Sequence, residues 1–243
     1  MAEIAQTADH ALRILEELGR GQALTPSQLA ERLGLNRTVV HRLLVTLNAR
    51  GFVLRQGSVY RPGATLIRLA SVLEPDLRAA AAPVMAQVAE ETGESLVLHV
   101  ADGMDAVVLD QAVASRHVLQ VSHQIGSRHS LASGASGRAL LAFLPPAAIR
   151  RVTESLDHEP SLGRKLDAVR QMRYAVSHDE LQTGVHGVAV PVLDAAGTAI
   201  ASLAMLVPDG RARGLEDHVD ALWEASEQIT RAADPFRSEN VSA

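Results

Sequence analysis

The sequence of 243 residues has no cysteine, a single lysine (Lys165) and no apolar run of the ~18 residues that a membrane-spanning helix needs. The lack of cysteine excludes disulfide bonds and thiolate metal sites, and it is compatible with a reducing compartment. The first ten residues lack the basic-then-apolar order of a secretory signal peptide. We therefore expect a soluble, cytoplasmic protein with no membrane contact.

Charge is distributed unevenly along the chain. Residues 1–61 contain eight arginines and five acidic residues, a net charge of +3, whereas the whole chain carries −5. The remaining residues therefore carry −8. A small basic module followed by a larger acidic one is typical of a nucleic-acid-binding domain joined to a domain with another role.

Residues 25–50 predict two short helices joined by a tight turn. Thr25 is a good helix cap, and Gln28 stands three residues later, as a capping box requires. Gly34 ends the first helix, and Asn36 caps a second helix that carries an apolar stripe. The spacing of a small Ala30, a turn Gly34 and a buried Val40 is typical of a helix-turn-helix.

Further elements complete a winged helix around this pair. Residues 5–19 predict a preceding helix, and residues 52–55 and 58–61 predict two strands about a tight turn. The two-stranded hairpin would form the wing, with Arg55 and Arg61 at its two ends. The predicted apolar face of the preceding helix contains Ala8, Leu12, Leu15 and Leu18, with Ile14 beside them.

The start and outer face of the second helix carry polar side chains that suit DNA. The first turns of a recognition helix reach base edges, arginine can pair with guanine, and a helix N-terminus favours phosphate. A solvated face of a packing helix is the alternative interpretation. The residues expected to contact DNA are Thr25, Asn36, Arg37, Thr38, His41, Arg42, Arg55 and Arg61.

The middle of the chain predicts a domain boundary. Residues 64–92 have a helical pattern that Pro75 interrupts, and Pro83 predicts a second kink or a restart. We expect a winged helix-turn-helix domain over residues 1–62, a linker helix over 63–75 and a larger domain over 76–236.

The larger domain mixes short apolar runs with helical patterns, which predicts an α+β domain with helices packed on an antiparallel sheet. The expected strands are 95–100, 106–113, 118–122, 185–193 and 199–207. The expected helices are 134–144, 147–155, 162–173 and 215–233. Residues 133–138 open one helix with small side chains, which either leave room for a ligand or only permit close packing.

Several blocks together resemble the IclR family of bacterial transcription regulators. Each block is weak by itself, but they occur in order over nearly the whole chain. The resemblance implies an N-terminal winged helix, a linker helix, a GAF-like effector-binding domain, and dimers or dimers of dimers. The blocks are ALRILEEL, LAERLGLNRTVVHRLLVTLNARGFV, ETGESLVL, HSLASGASGRALLAFLP and YAVSHDELQTGVHGVAVPVLDAAGTAIASLAMLVP.

The same resemblance implies that a small-molecule effector, often an organic or aromatic acid, controls binding to a palindrome-like operator in double-stranded DNA. It implies no cofactor and no enzymatic activity. The effector contacts that it implies are Val118, Val121, His129, Ala135, Ser136, Gly137, Glu180, Ala189, Pro191 and Ala204.

Three departures from the family pattern affect these expectations. Tyr60 is followed by Arg-Pro-Gly, whereas the family's wing usually continues from tyrosine to Leu-Gly, and Arg138 replaces a lysine. Strand positions where the family often has ligand-facing serines align with Ala204 and Leu206. We therefore expect an effector with a substantial hydrocarbon or aromatic part and one acid group.

Two other kinds of site stay open at this point. Gly134-Ala-Ser-Gly approaches the nucleophile elbow of hydrolases, but Arg138 stands where the final glycine belongs. His117, His123 and His129 recur every six residues, with His99 upstream, but no zinc motif supports a metal site. The alternative function is a ligand-binding sensor or hydrolase-like enzyme with a non-functional winged helix.

Overall fold

The computed structural model describes residues 4–70, 75–155 and 160–233. The chain divides into two units, Met1–Pro75 and Asp76–Ala243. The predicted linker helix falls partly outside the described residues, since residues 71–74 are among those not described. Within the described ranges, no helix is long and apolar enough to cross a membrane.

The N-terminal unit is a winged helix, as predicted. A hydrophobic core that includes Ile14, Leu29, Val40 and Tyr60 joins its helices to its hairpin. Its elements are α1 (Gln6–Gly19), α2 (Pro26–Leu33), α3 (Arg37–Ala49), β1 (Val53–Gln56), β2 (Val59–Pro62) and α4 (Ala64–Ala70).

Local hydrogen bonds fix the helix boundaries in this unit. The Thr25 hydroxyl accepts from the Gln28 N–H at 3.3 Å, and the Gln28 side chain accepts from the Thr25 N–H at 2.9 Å. Gly34 adopts a left-handed φ of 64°, which a side chain would disfavour. The Asn36 side chain accepts from the Thr38 N–H at 2.8 Å. These caps lie where the sequence predicts them.

The predicted apolar face of α1 is partly wrong. Leu12 is exposed, whereas Ile14 and Leu18 are fully buried. Ala11 and Leu15 pack partly against the same core. Both candidate faces have helical spacing, so periodicity alone does not choose between them; packing against α2 and α3 does.

The C-terminal unit is built on a six-stranded antiparallel sheet. The strand order is β5-β4-β3-β8-β7-β6, and every neighbouring pair is antiparallel. Its strands are β3 (Ser95–Asp102), β4 (Asp105–Ala112), β5 (Arg128–Ser130), β6 (Ala175–His178), β7 (Val185–Leu193) and β8 (Ala199–Pro208). Its helices are α5 (Pro75–Thr92), α6 (Gly134–Leu141), α7 (Pro146–Ser155), α8 (Pro160–Met172) and α9 (Val219–Ala233), with 3-10 turns at Asp209–Arg211 and Leu215–His218.

The two faces of this sheet pack against different helices, because side chains alternate along each strand. On one face, α5 and α9 cover a core that includes Leu98, Val190 and Met205. On the other face, α6, α7 and α8 pack on small residues such as Ala189 and Ala204. The second face contains the candidate effector site and is called the α6 face below.

Several predicted elements differ from the structure. Residues 118–122 are irregular, not a strand, and the edge strand is Arg128–Ser130. β6 was not predicted, and α6 ends at Leu141 rather than at residue 144. Pro83 lies inside one continuous α5 and does not restart it. Edge strands this short contain too few residues for alternation to identify them.

Candidate DNA interface and effector site

The outer face of α3 presents four of the predicted DNA contacts together. Arg37, Thr38, His41 and Arg42 are all exposed. Within the described part of the chain, neither the Arg37 nor the Arg42 guanidinium has a hydrogen-bond or ion-pair partner, so both are available to a phosphate or a guanine.

Thr25 and Asn36 have a structural role that limits what they can offer DNA. Each uses its side-chain oxygen to cap a helix, as described above. The Asn36 amide group keeps its two N–H donors, and the N-terminus of α3 that it caps favours an anion.

The two wing arginines do not lie at the two ends of the hairpin. Arg55 is opposite Tyr60, and Arg61 is opposite Leu54, so the two arginines are neighbours in the register. Opposite residues share a face, which places Arg55 on the Tyr60 side and Arg61 on the other side. The Arg55 Nε donates to the Gly57 carbonyl at the turn, at 3.0 Å.

The α6 face brings together most of the predicted effector residues. Ala204 is paired with both Ala189 and Val97, and Pro191 is paired with Ser202. α6 lies against these strands, and the Ser202 hydroxyl donates to the Ser136 carbonyl at 3.0 Å. Small side chains on both elements allow this close approach.

Gly137 is required for packing. A Cβ at this position would lie 2.8 Å from the Leu131 carbonyl oxygen and 2.9 Å from that of Ser130. The backbone of α6 therefore contacts the preceding loop directly. For this residue the structure supports the close-packing interpretation.

Val118 and Val121 have different environments, although they are three residues apart. Val118 is fully exposed and does not join the α6 face. Val121 is buried against Val97, Val108 and Leu206, which are apolar residues of that face. A cavity of about 320 Å³ adjoins Val121; it is lined by Leu119, Gln120, Val121, Ser122, Gln182, Thr183, Gly184, Val185 and Pro208.

Glu180 occupies the start of α6. Its carboxylate accepts from the Gly134 N–H at 3.0 Å and from both terminal nitrogens of Arg138, at 2.5 and 2.7 Å. Burial alone would raise the pKa of Glu180, but the hydrogen bonds from Arg138 and Gly134 outweigh it and hold the pKa below its usual value. Glu180, expected to contact an effector, is thus engaged with Arg138 and with the first N–H of α6.

Three histidines form a cluster on the α6 face. The ring centroid of His99 lies 5.3 Å from that of His129 and 6.3 Å from that of His123. His99 is fully buried, and neither of its ring nitrogens has a hydrogen-bond partner among the described residues. Burial, and then repulsion from His129 and His123, lowers the pKa of His99 well below 6.5, and a weak interaction with the Val97 backbone, which does not meet hydrogen-bond geometry, opposes this shift without outweighing it. The ring is therefore neutral at pH 7, with a donor and an acceptor unused.

His99 is the functional candidate that residue-by-residue reasoning did not select. Strand alternation places it on the same face as Val97, and the register pairs it with Ser202. The alternation that places His99 on the same face as Val97 was visible in the sequence. What the sequence did not reveal is that β4 and β5 bring His129 next to it.

Ser136 and His129 form a pair that could suggest a hydrolase. His129 Nε2 lies 3.1 Å from the Ser136 hydroxyl, but its Nδ1 lies 3.1 Å from the Ser130 carbonyl, and no carboxylate among the described residues hydrogen-bonds to it. Ser136 is only 4% exposed. A buried serine beside a histidine with no acid partner does not form a catalytic triad.

The N-terminal unit is a winged helix, and the α6 face of the C-terminal sheet is partly polar. Together these two features are the architecture of a ligand-responsive transcription regulator. Two family models match this chain: "Bacterial transcriptional regulator IclR C-terminal" over residues 69–231, and "IclR helix-turn-helix domain" over residues 7–57. The chain belongs to the IclR family, and it is a transcription regulator with a DNA-binding N-terminal domain and a C-terminal effector-binding domain.

Individual relatives agree with this assignment. The probable transcriptional regulator SauR of Cupriavidus necator is 32% identical over 219 residues, which cover 84% of this chain and 86% of SauR. An IclR regulator from Alicyclobacillus acidocaldarius has 28% identity and a TM-score of 0.79, with 95% of this chain and all of that one covered. An IclR homologue from Microbacterium hydrocarbonoxydans, solved with 4-hydroxybenzoate, shares the fold at 23% identity and a TM-score of 0.79, covering 93% and 98% of the two chains.

Proposed function

We propose that residues 1–62 read one half of a palindrome-like operator, that residues 63–75 form a linker helix, and that residues 76–236 bind the effector and a second copy of the chain. A dimer or a dimer of dimers would place two or more winged-helix domains on one DNA segment. This binding would take place in the cytoplasm, where the chromosome lies. Effector binding would change the spacing of these winged-helix domains. Such coupling between sites is worth about 1–3 kcal/mol in other proteins.

Arg37, at the start of α3, carries the proposed DNA contact. Its guanidinium is exposed and without a partner among the described residues, and it stands where a recognition helix first meets base edges. Thr38, His41 and Arg42 extend the same surface. Arg55 and Arg61 would contact the backbone from two sides of the wing.

Arg37→Ala should weaken operator binding by about 5- to 150-fold, equivalent to the 1–3 kcal/mol of a lost base contact. The measurement is a gel-shift titration on the protein's own promoter DNA at fixed salt. Arg151 is an exposed arginine in α7, outside the winged helix. Arg151→Ala makes the same chemical change there and should bind DNA as the wild type does. Unchanged affinity of the Arg37 variant would contradict the assignment.

The α6 face is proposed as the effector site because of His99. A fully buried ring with two unpaired nitrogens costs free energy until a ligand supplies hydrogen bonds. Val97, Val108, Val121 and Leu206 provide an apolar wall on the same face. This combination suits an aromatic or branched acid whose polar end meets the histidines. The 4-hydroxybenzoate bound to the Microbacterium homologue is a ligand of this chemical class.

A thermal-shift screen of organic acids tests this proposal. Aromatic or branched acids should raise the melting temperature of the wild type, whereas glyoxylate should not. His99→Leu should abolish the shift, and His117→Gln, a change outside the cluster, should preserve it. A response to small polar acids alone would contradict the proposed ligand class.

The alternative is a ligand-binding sensor or enzyme whose winged helix has lost its function. It predicts ligand binding or turnover without affinity for DNA. Phosphate contacts make DNA binding fall steeply with salt, so salt-dependent retention on promoter DNA separates the two functions.

A further inference from the structure

A second polar cluster lies at one end of the sheet, away from the α6 face. β6 and β8 end there and β7 begins there, because each neighbouring pair is antiparallel. Asp179 follows β6, Asp209 follows β8, and His186 is the second residue of β7. The topology thus brings three potential metal ligands, from three strand termini, to the same end of the sheet.

The geometry of this cluster is close to that of a metal site. One ligand atom from each of Asp179, His186 and Asp209 lies within 4.8 Å of those of the other two. His186 Nε2 is 2.5 Å from Asp209 Oδ1. The His186 ring is buried, whereas both carboxylates are exposed and can adjust. Two ligand atoms of a tetrahedral zinc ion lie roughly 3.3–3.6 Å apart. Short side-chain rotations that move His186 and Asp209 slightly apart and bring Asp179 within this distance would therefore close the site.

A fourth residue orients the buried ring. His178 is opposite His186 in the register of β6 and β7, and their Nδ1 atoms are 2.8 Å apart. Without a metal, the 2.5 Å contact requires His186 Nε2 to donate its proton to Asp209. A bound metal ion would displace this proton, and His186 Nδ1 would then donate to His178 while Nε2 binds the ion. Metal-binding histidines commonly hold their second nitrogen in such a hydrogen bond, which fixes the tautomer.

We propose that Asp179, His186 and Asp209 bind a divalent transition-metal ion of the zinc type, with His178 as the positioning residue. An imidazole with two carboxylates suits such ions, whereas magnesium and calcium prefer oxygen ligands alone. Since the chain has no cysteine, no thiolate competes for the ion. The remaining coordination position would be filled by water.

The ion would stabilise the turn between β6 and β7, which also contains Glu180. The backbone of this turn is already held by Asp179, whose Oδ1 accepts from the Gly184 N–H at 2.6 Å, and by the Gly184 carbonyl, which accepts from the Asp209 N–H at 3.1 Å. Glu180, which caps α6, is the second residue of the same turn. A metal that joins Asp179 to Asp209 would therefore limit the movement of Glu180.

The experiment uses the tag-free full-length protein after treatment with a chelator. Zinc titrated by calorimetry, with elemental analysis after dialysis, should give one ion per chain, and cobalt should give a visible absorption band. Asp209→Asn and His186→Gln should each weaken zinc binding by at least about 10-fold, and His178→Gln by about 10-fold. Asp209→Asn alters an exposed side chain and should fold normally.

Two controls distinguish this site from the other histidines and from a general affinity for divalent ions. His117→Gln should bind zinc as the wild type does, and magnesium in excess should not displace zinc. Zinc should also slow amide hydrogen exchange over residues 179–186 in the wild type but not in Asp209→Asn. The proposal is overturned if the wild type retains no zinc, if His186→Gln binds with wild-type affinity, or if His123→Gln abolishes binding, which would place the ion in the other histidine cluster.

Discussion

Replacing Glu180 by glutamine would break the ion pair that begins α6. The Arg138 side chain is only 5% exposed, and it donates to both oxygens of Glu180. The carboxamide of glutamine keeps one acceptor oxygen. Its NH₂ group, which cannot accept a hydrogen bond, would face the N–H donors of Arg138 or Gly134. At least one hydrogen bond from Arg138 or Gly134 is then lost, and the guanidinium loses its counter-charge.

The expected cost follows from the burial of the two partners. Breaking a fully buried ion pair costs about 3–5 kcal/mol. The Glu180 side chain is 31% exposed, so water can partly replace it, and Arg138 keeps a 2.8 Å hydrogen bond to the Val176 carbonyl. We therefore expect a loss of about 2 kcal/mol, which lowers the melting temperature of a unit of this size by roughly 4–8 °C.

Urea unfolding monitored by tryptophan fluorescence measures this loss of stability in the C-terminal unit, which contains the ion pair. Trp223, the sole tryptophan of the sequence, lies in α9 of the C-terminal unit. The pKa of Glu180 is lowered in the fold, so the stability it contributes is present above the unfolded value of about 4.3 and disappears as the pH falls through the folded value. The difference between variant and wild type should therefore shrink below pH ~4.3.

Asp167→Asn is the matched control. Asp167 pairs with Arg170 at 2.7 Å, but the two side chains are 75% and 39% exposed. Such a surface pair contributes about 0–1 kcal/mol, so its loss should have little effect at any pH. Equal losses of stability in the two variants at pH 7, or a loss in Glu180→Gln that is unchanged in acid, would contradict the role given to the Glu180–Arg138 ion pair.

Two further changes test the packing and titration of the same unit. His99→Leu should flatten the dependence of stability on pH, because His99 stays neutral in the fold while the unfolded chain binds a proton below pH ~6.5. The wild type should lose up to about 1.4 kcal/mol per pH unit below that value through this group, and equal slopes in urea titrations would contradict the assignment. Gly137→Ala should cost about 1–3 kcal/mol, because its Cβ would meet the Leu131 carbonyl at 2.8 Å. Gly163→Ala, with open space around it in α8, should instead stabilise by roughly 0.5–1 kcal/mol, and similar unfolding midpoints for the two variants would refute the packing argument.

Features that depend on neighbours along the chain could be predicted from the sequence. Thr25 and Gln28 form their capping box within one turn, Gly34 takes its left-handed conformation locally, and Asn36 caps the next helix two residues on. The long strands β7 and β8 were predicted almost to the residue because each is a nearly continuous apolar run buried on both faces. Local hydrogen bonds and apolar runs leave a direct pattern in the sequence.

Contacts between residues that are distant in sequence became apparent only in the folded chain. Glu180 contacts Arg138 across 42 residues, and His99 lies beside His129 because β4 and β5 follow β3 in the sheet. The buried face of α1 and the irregular path of residues 118–122 were likewise set by packing. Such contacts depend on strand order and helix placement, which are fixed by the burial of the whole core, so no local pattern of residues encodes them.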